Sequence, residues 1–240
     1  MNSQLMNDDM PTRERILFSA RKHFLAQGYQ AAAIRNIASD AGFTPGALYG
    51  YFKSKEALFY ALTDPLIKKI QKMLDVIETE IMAIPVKKRL SEMSGVFYTH
   101  IPELAGLIFE DREIVSLVMN GAKGTKYENF LSDLVKRNTR IIAETATRTV
   151  KENRLFDNQI LTVSVEGYLA ALFHLIVTGH DQDTVIRSME LFGNIFEAGM
   201  LSLLERGTLF ASKQRHDGRH NTEIREGRNT NEKRHGQHPS

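Results

Sequence analysis

The stretch from Ile34 to Glu56, IRNIASDAGFTPGALYGYFKSKE, constrains the fold more than any other part of the chain. Apolar residues recur every three or four positions before Gly42, which predicts a short helix that the glycine ends. Thr44 followed by Pro45 is typical of a helix start, because threonine caps free N–H groups and proline needs none there. Ser54 predicts the start of a longer helix. We therefore expect two short helices, joined by a tight turn, before this longer one.

The second of these short helices has two different faces. Leu48 and Phe52 are four residues apart and are expected to pack inward together. The opposite face combines small residues with tyrosine hydroxyls, which suits close approach to a DNA groove. The alternative is that the tyrosines are half-buried against the domain. The outward residues are Pro45, Gly46, Tyr49 and Gly50, with Ala47 and Tyr51 at the margins.

The pattern resembles the DNA-binding head of the TetR family of transcriptional regulators. The matching run begins with TRERILFSARKHFLAQGY and continues through AIRNIASDAGFTPGALYGYFKSKEALF, from about Thr12 to Phe59. The resemblance implies an all-α fold, with a three-helix head and helix-turn-helix followed by a larger helical domain for effector binding and dimerisation. It places Lys55 where a helix-start lysine binds phosphate. The candidate DNA-binding set is Arg35, Thr44, Pro45, Gly46, Ala47, Tyr49, Gly50, Tyr51, Lys53 and Lys55.

Two positions depart from the family pattern. Where a threonine often meets a phosphate just before the first motif helix, this chain has Ala32 and Ala33. Gly50 stands where a bulky aromatic or charged residue is common, and it costs about 1 kcal/mol of helix propensity relative to alanine. We expect recognition to depend more on DNA shape and phosphate contacts.

Composition narrows the class of protein. The 240 residues are 42% hydrophobic and 25% charged, as in soluble globular proteins, and no cysteine is present. Disulfides, thiol nucleophiles and cysteine-ligated metals are therefore excluded, and we predict no metal or cofactor. The N-terminal run lacks the apolar segment of a secretory signal, and no run reaches the roughly 18 apolar residues of a membrane span. We expect a cytoplasmic protein.

The formal net charge of +2 is unevenly distributed. The segment 11–56 has seven lysines and arginines against three acids, whereas the middle of the chain is net acidic. A basic head is what DNA binding requires, although mild basic patches are usually only solvated surface.

After the motif, the sequence predicts a series of helices with breaks at proline and glycine. A long helix from Glu56 to about Ile84 contains Pro65, which should kink it. The helix is expected to have an apolar stripe at three- to four-residue spacing, made of Leu58, Leu62, Leu66, Ile70, Leu74 and Ile77. Pro85 starts a helix to about His100, and Pro102 starts another. Further helices are expected from about Tyr127 to Asn153, over 160–178 and over 183–206. The predicted divisions are a flexible lead (1–11), a helix-turn-helix domain (12–56), an effector-binding and dimerisation domain (57–206) and a polar, basic, disordered tail (207–240).

The last two helices are the most apolar part of the chain. Apolar residues cover more than one face of each, so one face can pack into the domain and another is left for a partner subunit. The alternative is that both helices are central in a large monomeric core. The candidate interface residues are Gly167, Ala170, Ala171, Phe192, Ile195, Phe196, Gly199 and Leu203.

The middle helices are expected to enclose an effector pocket, an interpretation that depends mainly on the family resemblance. Its candidate lining is apolar and aromatic with few polar groups. For any one of these residues the alternative is ordinary core packing. The candidates are Phe97, His100, Leu104, Ile108, Phe109, Met119, Tyr127, Phe130, Tyr168, Phe173 and His174.

Together these features predict a ligand-responsive DNA-binding homodimer on a near-palindromic double-stranded operator, a repressor released by a small, largely apolar effector. The rivals are an all-helical enzyme and a helical adaptor whose head binds protein. The sequence contains no nucleophile motif, no H-E-x-x-H and no evident pair of catalytic carboxylates.

Overall fold

The computed structural model describes residues 10–149, 158–199 and 202, and this part of the chain contains helices and no strand. The all-α class predicted from the sequence is therefore confirmed. The candidate interface residue Leu203 and the tail 207–240 lie outside the described residues, as does most of the lead. The helices are α1 (Thr12–Ala31), α2 (Ile34–Asp40), α3 (Pro45–Tyr51), α4 (Lys55–Ala83), α5 (Val86–Glu110), α6 (Arg112–Gly121), α7 (Phe130–Thr149), α8 (Asn158–Val177) and α9, described over 182–199.

Side-chain caps begin the helices where the sequence predicts them. The Thr44 hydroxyl accepts a hydrogen bond of 3.2 Å from the Ala47 N–H at the start of α3. The Ser54 hydroxyl accepts one of 2.9 Å from the Ala57 N–H at the start of α4. Because each cap satisfies an N–H that the helix leaves free, both starts are fixed by local sequence.

Pro102 does not start a new helix, so that expectation is wrong. Helix α5 runs through Pro102 without a break and ends at Glu110. A proline inside a helix removes a hydrogen bond at a cost of about 3 kcal/mol. Burial of Ile101 and Leu104 on either side of the proline offsets that cost, since each is less than a tenth exposed. The next helix starts instead at Asp111, whose carboxylate accepts a 3.1 Å hydrogen bond from the Ile114 N–H.

One hydrophobic core extends from the N-terminal helices into the body. It includes Phe24 of α1, Leu48 of α3, Phe59 and Ile67 of α4, and Ile101 of α5, none of which is exposed. The core therefore lies on both sides of the predicted boundary after residue 56. The division of the chain into a head and a body stays a prediction.

Helix α1 is joined to the body through α6. The Arg21 guanidinium donates to both carboxylate oxygens of Asp111 and, at 2.6 Å, to Glu113. Near the C-terminal end of α1, Gly28 has a φ of 74° and lies against Gly121 of α6. A Cβ on Gly28 would be 3.2 Å from the Gly121 carbonyl oxygen. The orientation of the N-terminal helices is therefore tied to that of α6.

Candidate nucleic-acid interface and ligand cavity

A glycine turn sets the angle between α2 and α3. Gly42 has a φ of 80°, and the Phe43 N–H donates back to the Ala38 carbonyl at 2.8 Å. This is the Schellman arrangement, in which a left-handed residue closes the end of a helix. The Arg15 guanidinium donates to the Ala41 carbonyl at 3.1 Å and lies over the Phe43 ring, so α1 supports the turn from one side.

Helix α2 is held to α1 by a polar cluster around Asp40. The Ser19 hydroxyl lies 2.9 Å from the Asp40 carboxylate, and the Lys22 ammonium lies 2.7 Å from it. Partial burial raises the pKa of this carboxyl, but the hydrogen bonds from Lys22 and Ser19 outweigh it and leave the pKa below its ordinary value. The carboxylate is therefore ionised at neutral pH and fixes α2 in place.

Helix α3 packs through one face and exposes the other. Leu48 is fully buried and Phe52 is 5% exposed, whereas Tyr49 and Tyr51 are 47% and 54% exposed. The inward pair expected from the sequence is confirmed, and each tyrosine leaves about half of its surface exposed. The outer surface of α3 also exposes Thr44, Gly46, Ala47 and Gly50, while Pro45 is partly covered.

This surface has the shape and chemistry to enter a major groove. A Cβ placed on Gly50 would meet nothing within 4 Å, and one on Gly46 would meet only the Thr44 hydroxyl. The backbone of α3 can therefore approach a phosphate or a base edge closely. The hydroxyls of Tyr49 and Tyr51 extend beyond it as hydrogen-bond donors.

The three candidate cations differ in their surroundings. Arg35 and Lys53 are exposed and available to a phosphate. The Lys55 ammonium instead donates to the Gln30 carbonyl at 3.0 Å and lies 4.6 Å from the centroid of the Tyr29 ring. Partial burial lowers the pKa of this ammonium. Lys55 therefore stabilises the contact between α1 and α4, and a phosphate contact would be an additional role.

A cavity of about 240 Å³ lies in the body and is almost wholly apolar. Helix α4 supplies one wall through Ile67, Ile70, Leu74, Ile77 and Ile81, and helices α5, α6, α7, α8 and α9 supply the rest. The sequence predicted the apolar stripe of α4 but gave it no place in a pocket. Six of the candidate pocket residues line the cavity: Phe97, Leu104, Ile108, Met119, Phe130 and Tyr168.

Four other candidates do not line this cavity. His100 pairs with Glu80 at 2.9 Å, and the Tyr127 hydroxyl donates to Asp64 at 2.8 Å. Phe109 lies beneath the Arg112 guanidinium, and His174 is exposed. The side chain of the remaining candidate, Phe173, lies outside the described residues.

An exposed stripe of small and apolar residues runs along α8 and α9. Val163 is 62% exposed, and Leu191 and Ile195 are each 59% exposed. Gly167 and Ala170 follow Val163 at helical spacing, and Gly199 follows Ile195 in the same way, all of them exposed. Ala171 is half-buried. The candidates Phe192 and Phe196 are turned inward, where each packs against the core.

Two features are absent from the residues that the structure describes. None of their helices combines the length and the apolar character that a bilayer crossing requires. No three histidine, aspartate or glutamate side chains among them come together to hold a metal ion.

The N-terminal part of the chain is similar in sequence to known bacterial regulatory proteins. The family model described as "Bacterial regulatory proteins, tetR family" matches residues 16–62. The HTH-type transcriptional regulator UidR of Escherichia coli (strain K12) is 39% identical over 62 residues, which are 26% of this chain and 32% of UidR. The uncharacterized HTH-type transcriptional regulator YerO of Bacillus subtilis is 34% identical over 83 residues, 35% of this chain and 29% of YerO. The matches therefore span about a third of these relatives.

Similarity over a larger part of the chain is found in a solved structure. A TetR-like transcriptional regulator from Rhodococcus sp. RHA1 superposes with a TM-score of 0.52, covering 79% of this chain and 99% of its own at 16% identity. At that identity the match shows a common helical fold. The proteins compared here are transcriptional regulators and not enzymes, which leaves the enzyme interpretation of the sequence without support.

Proposed function

We propose that this chain is a regulator of the TetR type, a cytoplasmic, sequence-specific DNA-binding repressor that a small, largely apolar effector releases from its operator. The family model that matches residues 16–62 and the similarity to UidR support this proposal. The observation that carries the proposal is the outer face of α3. Tyr49 and Tyr51 are about half exposed while Leu48, on the same helix, is fully buried. A recognition helix needs this division, with a buried side for support and a free side for the groove.

The protein acts as a two-fold homodimer in this proposal. Two recognition helices must lie roughly 34 to 36 Å apart to enter successive major grooves of a near-palindromic operator. The exposed stripe on α8 and α9 supports the dimer, because apolar side chains such as Leu191 and Ile195 are more than half exposed without a partner.

Release follows from a coupling between the cavity and the head. Helix α4 lines the cavity with Ile67 to Ile81 and begins at Lys55, beside α3. Helix α6 lines it with Val115 and Met119 and holds α1 through Arg21 and Asp111. An effector that binds better to a conformation with a different spacing of the heads shifts the population towards that conformation and weakens operator binding.

The test is a mobility shift with the DNA upstream of the protein's own coding region, at several salt concentrations. Tyr49→Ala should weaken specific binding about tenfold or more, because it removes a side chain that contacts the groove without touching the core. Lys53→Ala should weaken binding to all sequences and reduce the slope of log affinity against log salt by about one.

The matched control for Lys53→Ala is Lys87→Ala, since Lys87 is an exposed lysine at the start of α5. It should leave both the affinity and the salt slope unchanged. Thermal unfolding of each variant checks that the fold is intact. Operator affinity unchanged in both Tyr49→Ala and Lys53→Ala would contradict the assignment of α3 and its following turn to DNA.

A further inference from the structure

The charged side chains that line the cavity differ in whether they have an ion-pair partner. Its lining includes three charged side chains, Glu78, Arg137 and Glu197. Two of them neutralise each other, because the Arg137 guanidinium lies 2.5 Å from the Glu78 carboxylate. Arg137 also lies 2.8 Å from Asp75 and donates to the Leu74 carbonyl at 2.8 Å. A ligand carboxylate would have to compete with three existing partners of this guanidinium.

Glu197 has no such compensation. It lines the cavity, half-buried, and forms no ion pair with a lysine, arginine or histidine in the part of the chain that the structure describes. Its charge acts on Tyr98, whose pKa is raised by burial and by the charges of Glu197 and Glu190. Among the described residues, Glu197 is therefore the one charged side chain of the cavity lining without an ion-pair partner, and it lies where α9 meets α5.

Three aromatic residues, Tyr98, Tyr168 and Phe196, line the same cavity as Glu197. The rings of Tyr168 and Phe196 lie 5.3 Å apart between centroids, and both residues line the cavity beside Tyr98. The Tyr98 hydroxyl donates to the Asn194 side-chain oxygen at 3.0 Å, so the lone pairs of the hydroxyl oxygen can still accept a hydrogen bond. The Tyr168 hydroxyl has no hydrogen-bond partner among the described residues, and burial raises the pKa of this phenol.

We propose that the effector is an apolar molecule with a cationic end, an ammonium or similar group, which lies against Glu197 among the rings of Tyr98, Tyr168 and Phe196. The negative faces of aromatic rings attract cations, and they do so most strongly where water is excluded. The apolar remainder of the molecule lies along the isoleucines of α4. This inference rests on the proposed function in taking the cavity as the effector site, and it adds the chemical class of the ligand.

The test uses the full chain and three probes with the same alkyl tail: decyltrimethylammonium, decan-1-ol and decanoate. Binding is measured by isothermal titration calorimetry, below the critical micelle concentrations of the two ionic probes and below the solubility limit of decan-1-ol. The ammonium should bind about tenfold tighter than the alcohol, and decanoate should bind more weakly than either. Decanoate binding as tightly as the ammonium would overturn the proposal.

Two variants locate the cationic end. Glu197→Gln keeps the size of the side chain, removes its charge, and should weaken ammonium binding about tenfold while leaving decan-1-ol binding unchanged. Glu190→Gln is the matched control, because Glu190 is exposed on the same helix and also acts on Tyr98 but does not line the cavity. It should change ammonium binding less than twofold. Equal effects of the two variants would overturn the role of Glu197.

The same titrations separate this inference from the proposed function. Ammonium binding that depends on Glu197 but leaves the operator complex intact supports the ligand class and contradicts effector release. Release of DNA by decanoate or decan-1-ol, with no effect of Glu197→Gln, supports effector release and overturns the cationic ligand. If none of the three probes binds, the inference is overturned. The mobility shift with Tyr49→Ala then still tests DNA binding independently.

Discussion

Gly42 and Gly50 lie eight residues apart, on either side of Leu48, but their surroundings differ. Gly42 adopts a φ of 80°, and a Cβ there would lie 2.8 Å from the Arg15 guanidinium, which also bonds the Ala41 carbonyl. Gly50 lies inside α3, and a Cβ there would meet nothing within 4 Å. The same substitution should therefore have opposite effects at the two positions.

Gly42→Ala should lower the free energy of unfolding by about 1 to 2 kcal/mol, because alanine is strained in the left-handed region and its methyl group displaces Arg15. Gly50→Ala should raise it by roughly 0.5 to 1 kcal/mol, because alanine loses less conformational entropy in a helix. Urea unfolding of the DNA-free protein measures both. Destabilisation of equal size in the two variants would contradict the different backbone demands described here.

Single residues also show how much of the site could be predicted from the sequence. Local signals sufficed for α2 and α3, since Gly42, Thr44 and Ser54 act on backbone groups within a few positions. The ammonium of Lys55 was beyond such reasoning, because its partners Gln30 and Tyr29 are about 25 residues away in the sequence.

At the scale of helices, the cavity lining was predicted only in part. A helical stripe of apolar residues indicates that a face is covered, but it does not tell whether side chains or empty space cover it. Ile70, Leu74 and Ile77 of α4 were therefore predicted as part of a stripe and not as a wall of the cavity, and Ile67 and Ile81 were not predicted. His100 and Tyr127 were expected in the pocket, yet Glu80 and Asp64 on α4 satisfy their polar atoms elsewhere. Such pairings depend on how α4 packs against α5 and the segment before α7.

The contact between α1 and α6 yields a quantitative prediction. Arg21 and Asp111 are each about 30% exposed and form two parallel hydrogen bonds, a geometry that fixes both side chains. A double-mutant cycle with Arg21→Gln and Asp111→Asn should give a coupling energy of about 1 kcal/mol or more. Asparagine is a suitable cap, so Asp111→Asn should keep the start of α6 intact.

The control cycle uses Lys69 and Glu110, which join α4 to the end of α5 at 2.7 Å with side chains 55% and 46% exposed. Water screens this pair, so its coupling should be only a few tenths of a kcal/mol. Both cycles are measured by urea unfolding. Equal coupling energies in the two cycles would show that Arg21 and Asp111 form an ordinary surface ion pair that does not hold α1 against α6.

At the scale of the whole molecule, the proposed regulator needs two copies, because one recognition helix reads only one half-site. The chain leaves Val163 on α8 and Leu191 and Ile195 on α9 more than half exposed. Gly167 lies on the same stripe as Val163, and a Cβ built on it would meet no atom of the described residues within 4 Å. The absence of a side chain there would allow a second copy to approach closely. In the proposed dimer, this stripe is therefore the surface expected to be buried between the two copies.

Ile195→Asp tests this surface. In a two-fold interface the substitution buries two carboxylates without partners, at a cost of several kcal/mol, so the dimer should dissociate at micromolar concentration. Val76→Asp is the control, since Val76 is an exposed valine on α4 and lies off the stripe. Sedimentation equilibrium should find a monomer for Ile195→Asp and a dimer for Val76→Asp. Operator affinity should fall at least about a hundredfold with the first variant alone, because the second half-site contact is then lost. A dimeric Ile195→Asp protein with unchanged operator binding would place the subunit interface elsewhere.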